Sequence, residues 1–310
     1  GFWNSGTTWF QQIVAELAHA KRIFEPFYFH IPAYTDIVSS SLENRAFEWP
    51  FANVYCPFFG KALRNDKLIR KYVESALTGD IRGKVEPEQG GEWVRRLRKN
   101  RLEHFRKRVV VKCVRGQFVA PAINRYYGTP VLHIWRDPRA VVASLQRRGW
   151  DWFKRESLRV LLSEGHDSRG RYIGPWLDTL KRLDAEGTFA EKTAAYWAVT
   201  ERYIDEELGG ASRFCSVNYD RMVLTPDSVL ESVAQTLKCP LPPSINAINK
   251  NSTTTQKSRH DISAKRRIVG WKQELTSQQI EAVERTVGDF EMQHRIASVN
   301  ENIRHLGASV

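Results

Sequence analysis

Two short runs have the residue types and spacing to handle an anion. The first is Asn4-Ser5-Gly6-Thr7-Thr8-Trp9, within Gly1 to Trp9 and just ahead of an apolar helical repeat. Small residues there let backbone N–H groups converge on an anion, the helix N-terminus adds a favourable dipole, and two threonine hydroxyls supply further donors. The loop lacks the lysine of Gly-Lys-Ser/Thr, which disfavours an ATP- or GTP-hydrolysing P-loop. A plain helix start capped by Ser or Thr would have the same composition. The second run is Arg136-Asp137-Pro138-Arg139-Ala140-Val141-Val142-Ala143-Ser144. It leaves an apolar strand, turns at a proline and enters a helix. Arg136 then stands at the carboxyl end of a strand, where open α/β sheets bind ligands, with Ser144 two turns into the helix. An arginine fork and a serine hydroxyl suit a phosphate monoester. An Arg–Asp cap is the other use of such a segment.

The elements that must position these residues alternate. Phe10, Ile13, Val14 and Leu17 share one face, which predicts a helix over 11–20. Residues 23–60 are rich in aromatics and proline and predict loops and short helices. A helix is expected over 64–76, and loop from 79 to 91. Val109-Val110-Val111 and Val131-Leu132-His133-Ile134-Trp135 read as buried parallel strands, with a crossover helix over 117–127 between them. Further helices are expected over 140–148, 190–208, 227–237 and 278–287, and a strand over 214–219. The charged stretch 151–185 reads as a surface insertion. The expected fold is therefore α/β: a single domain over 1–310, with a central parallel sheet flanked by helices and a P-loop-like loop at its start. A phosphate loop beginning at residue 1 lacks most of the strand that should carry it, so the domain is expected to have its beginning trimmed.

Composition narrows the classes. The 310 residues carry 47 Lys+Arg against 35 Asp+Glu, a formal charge of +12, with 42% hydrophobic and 11% aromatic residues. The apolar share excludes a disordered chain, and ordinary Gly and Pro contents exclude collagen-like and mucin-like classes. The basic surplus predicts an anionic partner. Cys56, Cys113, Cys215 and Cys239 lack the close pairing of a zinc site, so no metal is expected. Cys215 and Cys239 could bridge in an oxidising compartment, and four spaced cysteines equally suit a reducing one. Asn251-Ser252-Thr253 is a glycosylation sequon of the kind that recurs by chance. No apolar run is long enough to span a membrane. Neither compartment nor oligomeric state can be read.

Together the two runs resemble the sulfotransferases that use 3′-phosphoadenosine 5′-phosphosulfate (PAPS) and release adenosine 3′,5′-bisphosphate (PAP). The resemblance implies that Ser5, Gly6, Thr7, Thr8 and Trp9 bind the 5′-phosphosulfate and that Arg136 and Ser144 bind the 3′-phosphate. Val217-Asn218-Tyr219-Asp220 through Leu224-Thr225-Pro226 is similar to a family segment whose tyrosine approaches the adenine, which gives Tyr219 that role. Residues 263–275, with Lys265, Arg266, Arg267 and Trp271-Lys272, are similar to the loop that closes over the nucleotide. Phe24-Glu25-Pro26 resembles the Glu-Pro segment of carbohydrate and tyrosyl-protein sulfotransferases, where the glutamate sits beside the acceptor hydroxyl, and so makes Glu25 the general base. His30 is a lesser candidate. Lys112-Cys113-Val114-Arg115 resembles the carbohydrate and bacterial branch rather than the histidine-base cytosolic one, which places Lys112 near the sulfuryl group.

The departure from the family is Asn4, where Lys or Arg is usual. Asparagine can donate a hydrogen bond to the leaving oxygen but brings no charge. Lys112 or a C-terminal basic residue could compensate; otherwise transfer is slow, or the chain binds PAP or PAPS without transferring. The expected partner is a hydroxyl-bearing acceptor. The basic run Arg95 to Arg108 is either a solvated helix face or a groove for an anionic acceptor. A nucleic-acid polymer is not expected, since only charge speaks for it.

Overall fold

The computed structural model describes residues 1–28, 31–40, 57–59, 62–80, 107–162, 168–250 and 263–305. It is a mixed α/β structure, rich in helix, with short parallel strands. Strand β1 (Ala20–Phe24) pairs in parallel with β2 (Arg108–Lys112), from Ala20 opposite Arg108 to Phe24 opposite Lys112. Strand β3 (Val131–Trp135) pairs in parallel with β4 (Phe214–Asn218), from Val131 opposite Phe214 to Trp135 opposite Asn218. Among the described residues the ladders are thus two pairs, where one central sheet was expected. Gly1 lies between them: its amine donates to the Cys113 carbonyl just past β2 at 3.3 Å, and its backbone packs on the Ile134 carbonyl of β3.

Helix α1 (Thr7–Leu17) forms where the apolar spacing predicted one, starting earlier and stopping sooner. Its buried face is Phe10, Ile13, Val14 and Leu17. Gln11, also buried, pins it to the first ladder, its amide donating to the Ile23 carbonyl at 2.8 Å and to Val110 at 3.1 Å. The stretch 20–24, expected as helix end and loop, is therefore β1. The crossover helix between β2 and β3 spans Ala120–Tyr127 and ends at Gly128 with φ 59°.

Helix α2 (Pro138–Arg147) follows β3, with Asp137 as N-cap accepting from the Arg139 N–H at 2.8 Å. Helix α3 (Phe189–Leu208) runs through the largest apolar cluster, around Trp197, Tyr196 and Phe153. Buried polar groups lock these layers. The Arg139 guanidinium, 1% exposed, donates to Asp137, to Glu284 at 2.7 Å and to Asn300 at 2.8 Å. His133 of β3 contacts Ser216 of β4 and Glu201 of α3, each at 3.3 Å. Beyond β4 come α4 (Tyr219–Leu224), α5 (Pro226–Leu237), α6 (Ala264–Val269), the turn Trp271–Glu274, α7 (Ser277–Asp289) and α8 (Gln293–His305). Helix α8 was not foreseen.

The 151–185 stretch corrects a sequence expectation. It carries the helices Trp152–Arg155, Ser157–Leu162, Ser168–Ile173 and Leu177–Glu186. Phe153, Leu158, Leu161, Ile173, Leu180 and Leu183 from it are buried in the same cluster as α3. The described parts of the segment, 151–162 and 168–185, contribute to the core rather than forming a surface insertion. Phe153→Ala is accordingly expected to cost about 3–5 kcal/mol of unfolding free energy in chemical denaturation. A loss below about 1 kcal/mol would return the segment to the surface.

Candidate functional site

Four parts of the chain meet at the carboxyl ends of β3 and β4. The loop before α1 turns twice through left-handed backbone, at Asn4 with φ 57° and at Gly6 with φ 79°. Asparagine is among the few side chains that tolerate this region, which gives position 4 a conformational reason for its residue. Gly6 has a second constraint: a Cβ there would lie 2.6 Å from two carbons of the Tyr219 ring. Only glycine lets the ring lie on the loop. Helix α1 starts at Thr7 with no side chain capping it, so its first N–H groups have no intrahelical partner.

Arg136, one residue past β3, binds the parts together. It donates to the Asn4 carbonyl at 3.1 Å and to the Arg267 carbonyl at 2.6 Å, and its guanidinium lies 4.6 Å from the centre of the Tyr219 ring. The contacts span 132 and 131 positions of sequence. Around this point several buried polar atoms have no hydrogen-bond partner: Asn4 Nδ2, Ser5 Oγ, Arg136 Nε, Asn218 Nδ2 and both Asp220 oxygens. Most are donors, a set that fits an anion. Unsatisfied buried groups are costly, so these atoms call for a partner such as a ligand or water.

Glu25 and Lys112 form a second cluster at the end of the first ladder. Their backbones continue it, the Glu25 N–H donating to the Lys112 carbonyl at 2.8 Å. The Lys112 ammonium stands 2.9 Å from Glu25 Oε1, and the Val114 N–H donates to both carboxylate oxygens, at 3.1 and 3.0 Å. Both side chains are buried. Glu25 itself has φ 46°, a strained conformation for its residue type of the kind that gathers at functional sites. A carboxylate has about four lone-pair positions, so these contacts leave it room for one more proton donor.

Other expected residues fare differently. Thr7 and Thr8 are buried at the start of α1. The Trp9 side chain turns into the core, donating to the Ala247 carbonyl at 3.1 Å and meeting Tyr219 edge-on, so only its backbone N–H can serve a ligand. The Ser144 hydroxyl accepts from Arg147 at 3.2 Å, and Arg147 is paired with Glu274. Lys265 and Arg266 are exposed on α6, so the expected closing loop is helical from Ala264 to Val269, and only Arg267 reaches Arg136, through its carbonyl. His30, Cys56, Asn251 and residues 95–106 lie outside the described residues. Cys113, Cys215 and Cys239 form no disulfide, and no cluster of metal-ligating side chains occurs among the described residues. No helix of the described residues is long and apolar enough to cross a membrane.

Asp220 is the residue that sequence reasoning passed over, although it follows Tyr219 directly. Asn218 caps α4 by accepting from the Arg221 N–H at 2.9 Å, which swings Asp220 inward until it is 1% exposed. Burial, seconded by the Asp137 carboxylate, pushes its carboxyl up to about 7 against the pull of Arg136 and Arg139. Neither a family model, nor a curated protein, nor a solved structure matches the chain.

A carboxyl that is harder to ionise in the folded chain than in the unfolded one stabilises the fold below its unfolded value, and that stability is lost as pH rises through the folded value. From an ordinary 3.8 to about 7, the loss amounts to about 4 kcal/mol. Asp220→Asn is therefore expected to gain on the wild type by an amount of that order between pH 4 and pH 8 in denaturant titrations. A difference between the two proteins that stays constant with pH would contradict the assignment.

Proposed function

We propose that the chain is a PAPS-dependent sulfotransferase that moves a sulfuryl group to an acceptor hydroxyl. The observation that carries the reading is the meeting of the Asn4–Thr8 loop, Arg136, Tyr219 and Arg267 at one point, though they are far apart in sequence. These are the segments that the resemblance assigns to one nucleotide. The unpartnered Asn4, Ser5 and Arg136 donors around them suit its phosphates. In this reading the two parallel ladders belong to one sheet, joined where Gly1 touches both Cys113 and Ile134, and the loop before α1 acts as a P-loop-like cradle.

The work of the chain's own residues follows from their setting. Glu25 takes the proton of the acceptor hydroxyl as that oxygen bonds to sulfur. The bond from sulfur to the 5′-phosphate oxygen breaks, and its electron pair stays on PAP. Donors already fixed at that oxygen are worth more than donors that must reorganise. Asn4 supplies such a donor without charge. Lys112 supplies charge, but it shares that charge with Glu25 at 2.9 Å. This division favours modest turnover. It also keeps open a second reading, a PAP- or PAPS-binding protein with little transfer, which rests on Asn4.

Incubation with labelled PAPS and a panel of glycans, phenols, alcohols and peptides is expected to yield a product heavier by SO₃. Glu25→Gln should lower turnover by roughly 10²–10⁴-fold and leave the thermal stabilisation by PAP unchanged. An unaltered rate in that variant would overturn the base assignment. Firm PAP binding with no product across the panel would favour the second reading.

A further inference from the structure

Asp220 is a buried carboxyl that the reaction above does not use, and it directly follows Tyr219, whose ring lies 4.6 Å from the Arg136 guanidinium that would hold the anion. Both its oxygens are buried without a hydrogen-bond partner, and Arg136, whose Nε is likewise buried and unpartnered, is the cation that pulls on it most. The other charges acting on it are Asp137 and Arg139. Arg139 is committed to Asp137, Glu284 and Asn300.

Of the remaining charged groups on the surrounding elements, Arg267 of α6 is half-buried, and the others are exposed or paired. On α4 itself Arg221 is exposed; on α5, Asp227 and Glu231 are exposed. Helix α6 turns Lys265 and Arg266 to solvent and offers only the Arg267 carbonyl to Arg136. On α8, Arg295 and His294 pair with Asp205, while Glu301 and Arg304 are exposed. Asp220 thus feels Arg136 together with the Asp137–Arg139 pair, whose two charges oppose each other.

We propose that Asp220 is a proton acceptor coupled to the anion site, taking one proton from solvent when a phosphate or sulfate dianion settles on Arg136 and returning it when the anion leaves. The inference rests on the reading of Arg136 as the anion-binding group. Its physical basis is simple. A carboxyl deprived of hydrogen-bond donors is held ionised only by its neighbouring cation. An anion on Arg136 cancels that cation and adds its own negative potential, so the carboxylate protonates. The converse holds by reciprocity: a protonated Asp220 strengthens anion binding and an ionised one weakens it. A site built this way binds its anion more tightly in mildly acid solution and releases it as pH rises.

The test follows the aspartate carboxyl carbons by NMR during pH titration of the full chain, with Asp220→Asn identifying the resonance. Should that variant not fold, the resonance is still recognisable as the aspartate titrating near neutrality. The titration is repeated with PAP and, separately, with inorganic sulfate, a dianion throughout the range. The proposal expects the midpoint to rise by about 1 pH unit with either anion. A rise with sulfate but not with PAP supports the coupling and tells against the nucleotide reading. A midpoint that neither anion moves, or the absence of any aspartate titrating above pH 6, overturns the proposal.

Discussion

The guanidinium of Arg136 donates to the Asn4 and Arg267 carbonyls and lies over the Tyr219 ring, and the site's geometry hangs on these three contacts. Each contact by itself is modest: hydrogen bonds from a charged donor are worth about 1.5–3 kcal/mol, and a cation over an aromatic face about 0.5–2 kcal/mol. Their effect is positional. They fix the loop before α1 and helix α6 relative to β3. Arg136 can do this only because the next residue anchors the chain behind it. Asp137 caps α2 and holds Arg139, which in turn reaches α7 and α8. Removing one partner from a buried pair of this kind typically costs about 3–5 kcal/mol, so the frame behind Arg136 is stiff.

The second cluster obeys a different constraint. Glu25 and Lys112 stand at the same end of one ladder, and β-pairing itself brings their backbones together. The carboxylate is then oriented by the Val114 N–H and the Lys112 ammonium, which hold it in one place. Gly1 contacts Cys113, next to Lys112, and Ile134, two residues before Arg136, so the Gly1–Thr8 segment connects the two clusters. Positive charge is concentrated at Arg136 and Lys112, while Asn4, whose residue type suits its left-handed backbone, contributes none.

Much of this was legible in residue order. The β-branched runs at 109–111 and 131–135 marked β2 and β3, and the turn Asp137-Pro138 marked the start of α2, because each signal is local. Strand β1 was not, since Lys21 and Arg22 break its apolar pattern and Ala20–Phe24 becomes a strand only through its pairing with β2 and the Gln11 tether. The 151–185 stretch misled for a related reason. Its buried residues are divided among four short helices, so no single window shows a helical period, and the surface charge dominates the reading. Arg136, Tyr219, Glu25 and Lys112 were singled out from motif types, and the fold brings Arg136 to Tyr219 and Lys112 to Glu25. The pairing of Glu25 with Lys112 and the burial of Asp220 are tertiary facts with no local trace. Trp9 is the reverse case, a residue of the loop motif whose side chain the core claims.

The central claim is that one anionic nucleotide touches all four converging segments together. Hydrogen–deuterium exchange with and without PAP tests it directly, since the first N–H groups of α1 are unprotected by the helix itself. With PAP bound, exchange is expected to slow simultaneously at residues 5–9, at 136–144, around Tyr219 and at 263–267. Slowing elsewhere, or at one of these segments without the others, would contradict it.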